Sequence, residues 1–372
     1  TASSCLLLFP LLTAPPRTDS APLRVEVDSS RREVVVTAGP FRIAHMPKGM
    51  DHGQMHQMEG TTSPLLRFEW PIEAWFRGFE LEVSDASGKL LDQRLVHHMN
   101  VMNFDRRQLL YPAVERMVAA GSETGTVIVP KSIGMPMQPG YRLGMYVAWN
   151  NTGEADIEGA YLRVRLKWSP KNLSPRPLDV LPLYMDVSFL EIGETDSYDL
   201  PPGRSTKSYE FTLPVGGRML AAGGHMHDYG EFVQLEDATT GKVIVRLDAR
   251  KDAEGRLLKM PTKYFGITGD GIRLREGRRY RVRADYDNPE GQTIPDGAMG
   301  LMAAAFVPDD YAKWPVLDPN DPNILKDIAA LERIGKPGPG REGTRQDEHA
   351  GHDMPAKPST AQPPAPGGEH KH

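Results

Sequence analysis

The sequence predicts an all-β protein built as two antiparallel β-sandwiches in tandem, followed by a disordered C-terminal tail. Three observations carry that expectation. From about residue 22 to residue 310 the chain reads as short alternating or β-branched runs between turn signals, the pattern of half-buried strands. Gly and Pro number 36 and 33 among 372 residues, which favours frequent turns over long helices. One proline-rich passage, WSPKNLSPRPLDVLPL (168–183), divides the runs into two sets.

The elements follow in order. CLLLFPLLTAPP (5–16) is an apolar run too short to span a bilayer, followed by small residues and prolines. It resembles the end of a secretory leader, so residues 1–21 are assigned to a leader remnant and linker, and the protein to the periplasm or the secreted fraction. The chain opens on Thr1, and the start of that leader is expected upstream. Cys5 precedes the apolar run, which argues against a lipid anchor there. The first sandwich is expected over 22–170. It takes in LRVEVDSS, REVVVTAGPFRIAHM, a long set of runs broken by the turn SDASGK, and two strands in YRLGMYVAWNNTGEADIEGAYLRVRLKW. The second is expected over 171–310, with KSYEFTLP, GRMLAAGGHMH, EFVQLEDATTGKVIVRLDA, RRYRVRADYDN and MGLMAAAFV. In 311–372, Ile324, Ile328 and Leu331 fall on one face of a short helix over 322–333. The remainder, GKPGPGREGTRQDEHAGHDMPAKPSTAQPPAPGGEHKH, cannot bury enough apolar surface to order itself.

Composition excludes several functions. A net charge of −5 leaves no basic footprint for nucleic acid. The single cysteine rules out an internal disulfide and a thiolate metal site, and no later segment is long and apolar enough to cross a membrane. There is no nucleophile-elbow glycine pattern and no phosphate loop, so a nucleophilic hydrolase is not expected.

The histidines point elsewhere. All 11 fall into four groups: His45, His52 and His56; His97 and His98; His225 and His227; and His349, His352, His370 and His372. The first three carry nearby methionines: Met46, Met50, Met55 and Met58, then Met99 and Met102, then Met226. Imidazole serves several metals, whereas a thioether is a soft donor that selects copper; zinc more often comes with cysteine or carboxylate. On an extended GGHMHDYG, His225 and His227 project from one face. Adjacent His97 and His98 would face opposite sides of a regular strand. They reach one metal only at a bend or strand end, or through different ring nitrogens. HMPKGMDHGQMHQMEG (45–60) follows no strand or helix period and reads as a loop. His45, Met50, His52, Met55, His56 and Met58 are therefore auxiliary metal-binding candidates, as is Met99.

HHM in the first half, HxH in the second and a later Met near a final strand resemble the ascorbate-dependent copper monooxygenases. That family includes the peptidylglycine α-hydroxylating and dopamine β-monooxygenases. The resemblance spans roughly residues 65–308. VPKSIGMPMQPGYRLGMYVAWNN, DLPPGRSTKSYEFTL and RYRVRADYDNPEGQTIPDGAMGLMAAAF look like family stretches. It implies two jelly-roll-like sandwiches, each with one copper. The second, oxygen-activating copper would be held by His225, His227 and Met299, with Met302 as the alternative sulfur. The first, which supplies an electron, would use His97, His98 and a third histidine whose position is Ala148 here; Met99, Met135, Met137 or a histidine of 45–56 could stand in. The arginine that grips a peptide carboxylate is matched by Gly223, and its tyrosine and asparagine partners by Ala303 and Leu301. Peptide amidation is therefore not expected, and the family's disulfides are absent.

Two functions follow as expectations. One is an exported copper oxidoreductase hydroxylating a small non-peptide molecule with dioxygen and ascorbate or another external reductant. The other is a non-catalytic copper storage, delivery or resistance protein on the same fold, which would account for the missing ligand at Ala148.

Overall fold

Alternation dictates most of the architecture. In the strand Ile157–Pro170, Ala160, Leu162, Val164 and Leu166 are fully buried while the residues between them are not, so one face of a long strand is committed to a core. The computed structural model describes residues 23–47, 58–188, 197–266 and 270–336. Its fold is all-β, with sheets packed about apolar cores in the manner of β-sandwiches.

The first half contains β1 (Leu23–Asp28), β2 (Glu33–Ile43), β3 (Leu66–Glu69), β4 (Ala74–Ser84), β5 (Val96–Arg107), β6 (Val114–Gly121), β7 (Val127–Ile128), β8 (Ile133–Met137), β9 (Arg142–Trp149), β10 (Ile157–Pro170) and β11 (Leu178–Asp179). One sheet runs β1-β2-β10-β4-β8-β11 with β7 on β4, and a second runs β3-β9-β5-β6. Val36, Val101, Met145, Trp149 and Val164 belong to the apolar core of this half. The proline-rich passage ends in β11, which pairs parallel to β8, so the first half keeps its chain as far as Asp179.

The second half contains β12 (Leu181–Asp186), β13 (Tyr198–Leu200), β14 (Gly203–Thr212), β15 (Gly217–Met226), β16 (Gly230–Asp237), β17 (Val243–Asp248), β18 (Arg250–Lys251), β19 (Leu257–Lys259), β20 (Lys263–Tyr264), β21 (Ile272–Leu274), β22 (Arg279–Asn288), β23 (Ile294–Ala298) and β24 (Gly300–Pro308). Sheets β12-β24-β15-β20 and β14-β22-β16-β17 enclose a core that includes Leu183, Leu235, Val282, Met302 and Phe306. Leu220 and Val307 belong to the core of the first half, so the halves meet through packed apolar surface.

The helix α1 (Pro322–Arg333) forms where its apolar face predicts. The Asp321 side chain caps it by accepting from the Asn323 N–H at 2.8 Å, and Pro322 supplies a first-turn residue that needs no N–H partner. Ile324 and Leu331 bury against Met102, Phe104 and Val114, covering the outer side of β5 and β6. No helix among the described residues is long and apolar enough to cross a membrane. The expected leader remnant, most of the His/Met-rich loop and the tail lie outside the described residues.

One carboxylate anchors α1. Asp327, 2 % exposed, accepts from the Val114 N–H at 2.9 Å and from both Arg116 terminal nitrogens at 2.6 and 2.7 Å. Truncating one side of a buried, hydrogen-bonded ion pair costs on the order of 3 kcal/mol. Asp327→Ala is expected to lower unfolding stability by about that much in a denaturant titration; a loss under about 0.5 kcal/mol would show that α1 is not held this way.

Candidate metal centre

His97 and His98 lie at the start of β5, where the ladder is irregular. Val96 pairs with Trp149 and His98 with Ala148, so β5 advances two residues while β9 advances one. His97 is the extra residue of a β-bulge. The bulge breaks the alternation that would send the two rings to opposite faces, and their centroids stand 3.9 Å apart. This is the bend that two adjacent histidines need in order to serve one ion.

His225 and His227 come from the end of β15 and the residue after it. His225 sits opposite Leu301 on β24, and the His227 N–H donates to the Tyr286 hydroxyl at 3.0 Å. Their rings are 5.5 Å apart and nearly perpendicular.

The two pairs meet. His98 Nε2 lies 3.0 Å from His225 Nε2 and 3.4 Å from His227 Nε2. His97, His98 and His227 each offer a nitrogen, all within 4.8 Å of one another, and this group can hold a metal ion. A tetrahedral ion with bonds of about 2.0–2.1 Å sets its ligand nitrogens roughly 3.3–3.4 Å apart, so the spacing around His98 suits one ion. The resemblance assigns the pairs to two separate ions; the structure brings all four imidazoles into one cluster. The reason is topological: the His98 face of β5 turns towards the sheet that carries β15.

A carboxylate that belongs to none of the histidine motifs supports the cluster. Glu123, buried after the end of β6, places Oε1 2.6 Å from His225 Nδ1. With the proton held on Nδ1, the Nε2 lone pair is presented towards His98. Burial pushes the Glu123 carboxyl up, but its contact and hydrogen bond with the His225 ring outweigh this and hold it below the usual range. Gly121 has no side chain for a reason: a Cβ there would collide with the Glu123 carboxylate. Glu123 stands 102 residues from His225 in a turn without ligand spacing, so no sequence signal marked it.

The sulfur candidates separate by face. Met299, Leu301 and Ala303 follow one another at the strand period, on the side of the sheet that carries His225. Met299 lines the same cavity as His98 and His225. The Tyr286 hydroxyl fixes its backbone, accepting from the Met299 N–H at 3.0 Å and donating to the Met299 carbonyl. Met302 is fully buried in the core of the second half, opposite Gly224, and is not on the histidine face. Met99 and Met137 are fully buried in the first core, and strand alternation turns Met99 to the face away from His98. Met135 belongs to that core too, although it also reaches the cavity. Ala148 is fully buried directly opposite His98 and offers no donor.

The loop candidates divide. The His45 N–H donates to Asp156 at 2.7 Å, and His45 is not in the ligand-forming group. The Met58 carbonyl accepts from the Thr61 hydroxyl. Met50, His52, Met55 and His56 lie outside the described residues.

The centre borders a cavity of about 450 Å3 between the two halves. Replacing Glu123 by Gln removes the charge that orients His225 while keeping its size. Metal affinity, measured by competition with a chelator, is expected to fall about 10- to 100-fold; an unchanged affinity would mean that the Glu123–His225 contact plays no part in metal binding.

No family model matches this chain, and no curated protein does. Solved structures resemble it loosely. PNGF-II has a TM-score of 0.38 at 10% identity, with 73% of this chain and 66% of that chain covered. This chain therefore spans just under two thirds of that structure. The major capsid protein P2 of bacteriophage PM2 has a TM-score of 0.29 at 13% identity, covering 73% and 98%. A fucolectin from striped bass serum has a TM-score of 0.19 at 10% identity, covering 77% and 100%. Likenesses at this level carry no argument about what the protein does.

Proposed function

We propose that the chain is an exported copper oxidoreductase whose histidine centre, built jointly by both halves, acts on a small non-peptide molecule in the adjoining cavity. The observation that carries this reading is the approach of His98 to His225 and His227, at 3.0 and 3.4 Å, with His98 and His225 on the cavity wall. Imidazole alone suits zinc, copper, iron or nickel; the thioether of Met299, which lines the same cavity, favours copper. The resemblance to the ascorbate-dependent copper monooxygenases points the same way. Bound copper would supply one-electron exchange with dioxygen and with a reductant such as ascorbate.

The protein's own part is orientation. Glu123 keeps the His225 proton on Nδ1, and Tyr286 holds the backbone at His227 and Met299. Gly223 and Ala303 are register partners on the cavity side of the sheet, and Leu301 is the partner of His225. None of the three can bind a peptide carboxylate, which supports a non-peptide substrate.

A second reading is non-catalytic copper storage, delivery or resistance. It is favoured by the closing of both histidine pairs on one place. Among the described residues no second, separate histidine group remains to pass on an electron.

Metal analysis of untagged protein is expected to give one copper per chain, with occupancy largely lost in His98→Ala. Oxygen uptake with ascorbate is expected in the copper-loaded protein and absent in His225→Ala. Copper retained without uptake would establish the carrier reading, and failure to bind copper would overturn both.

A further inference from the structure

The cavity beside the histidines has an uneven chemistry. Its wall on β15 and β24 is made of small residues in register: Ala221 faces Ala305 and Gly223 faces Ala303, one pair after another, leading to His225. A Cβ added at Gly223 would meet only the Thr262 hydroxyl, at 3.5 Å, so the space in front of it is open. Met102, Val118 and Leu181 add further apolar lining.

Most polar groups around this space are engaged with one another. Asn100 donates to the Tyr146 hydroxyl at 2.8 Å, the Tyr184 hydroxyl to Asp186 at 2.9 Å, and Arg116 is held by Asp327. Two cations differ. Arg77 gives one terminal nitrogen to the Val129 carbonyl at 2.7 Å, and its buried Nε has no hydrogen-bond partner. Neither Arg77 nor Lys259 is ion-paired with a carboxylate among the described residues, and no aspartate or glutamate lines the cavity. Burial pushes the Arg77 guanidinium down, and Arg32 adds to this, so an anion beside it would relieve both effects.

We infer that this cavity binds an elongated apolar molecule ending in a carboxylate, with the carboxylate at Arg77 and the apolar body along the Ala221/Gly223 wall. The fork of a guanidinium matches a carboxylate in two parallel hydrogen bonds, and a partly buried arginine favours such a partner. A cavity of this size is ordinary for a small ligand. The inference deepens the proposed function by naming its substrate class, and it rests on that function only for which end of the molecule reacts. Binding itself needs no metal.

Decanoate and 1-decanol, titrated calorimetrically into metal-stripped full-length protein, test it. Decanoate is expected to saturate one site and to bind at least about tenfold more tightly than the alcohol, the scale of one charge-assisted hydrogen bond. Arg77→Gln should bring the two ligands to similar affinity. Gly223→Phe should weaken both at least about tenfold by filling the cavity. Equal binding of acid and alcohol, or decanoate binding indifferent to Gly223→Phe, would overturn the inference. Copper uptake is measured separately on protein that has not been stripped of metal. Decanoate binding without copper would leave the inference standing and defeat the proposed function, and copper without decanoate the reverse.

Discussion

The approach of the His98 ring to those of His225 and His227 is the constraint around which the rest is arranged. Each half fills its interior chiefly with its own apolar side chains, and Leu220 and Val307 extend the first core across the junction. The imidazoles are different, because they are nearly buried nitrogen donors brought together from strands more than a hundred residues apart. Desolvated rings at such spacing need a shared proton or a shared cation to offset the loss of water. The buried Glu123 carboxylate adds negative charge to the same spot and increases the preference for a cation.

Much of the fold was readable because alternation reports burial directly. β10 and the helix face of Ile324, Ile328 and Leu331 were legible in this way, since a strand or helix that hides one side must repeat its apolar residues at a fixed period. The HMH stretch was legible too, as two donors on one face. The partnership between the halves was not: a linear pattern records which face of β5 is polar, but not what that face meets. The bulge at His97 was also hidden, since it arises from the pairing with Trp149 and Ala148 and leaves no mark in local composition. For the same reason Met99 looked like a donor beside His98, although the pleat turns it into the core.

The centre and the cavity share their walls. His98 and His225 belong to both, and the small residues next to His225 decide how near a bound molecule can come. Residues such as Gly223 and Ala303 carry no chemistry of their own. They work by leaving room, and in this sheet they do so at consecutive paired positions, so the opening extends along the strands as a channel leading towards the imidazoles.

Tyr286 ties together two of the strand ends that frame the centre. One phenol oxygen touches the backbone at His227 and at Met299, and its ring is locked in the core. The two stretches of chain are thereby yoked, and neither can shift without dragging the other. An ion held there would draw one pair of ligands from backbone tied through a shared hydroxyl and the other from a bulged strand. The two halves thus present their imidazoles on differently built supports.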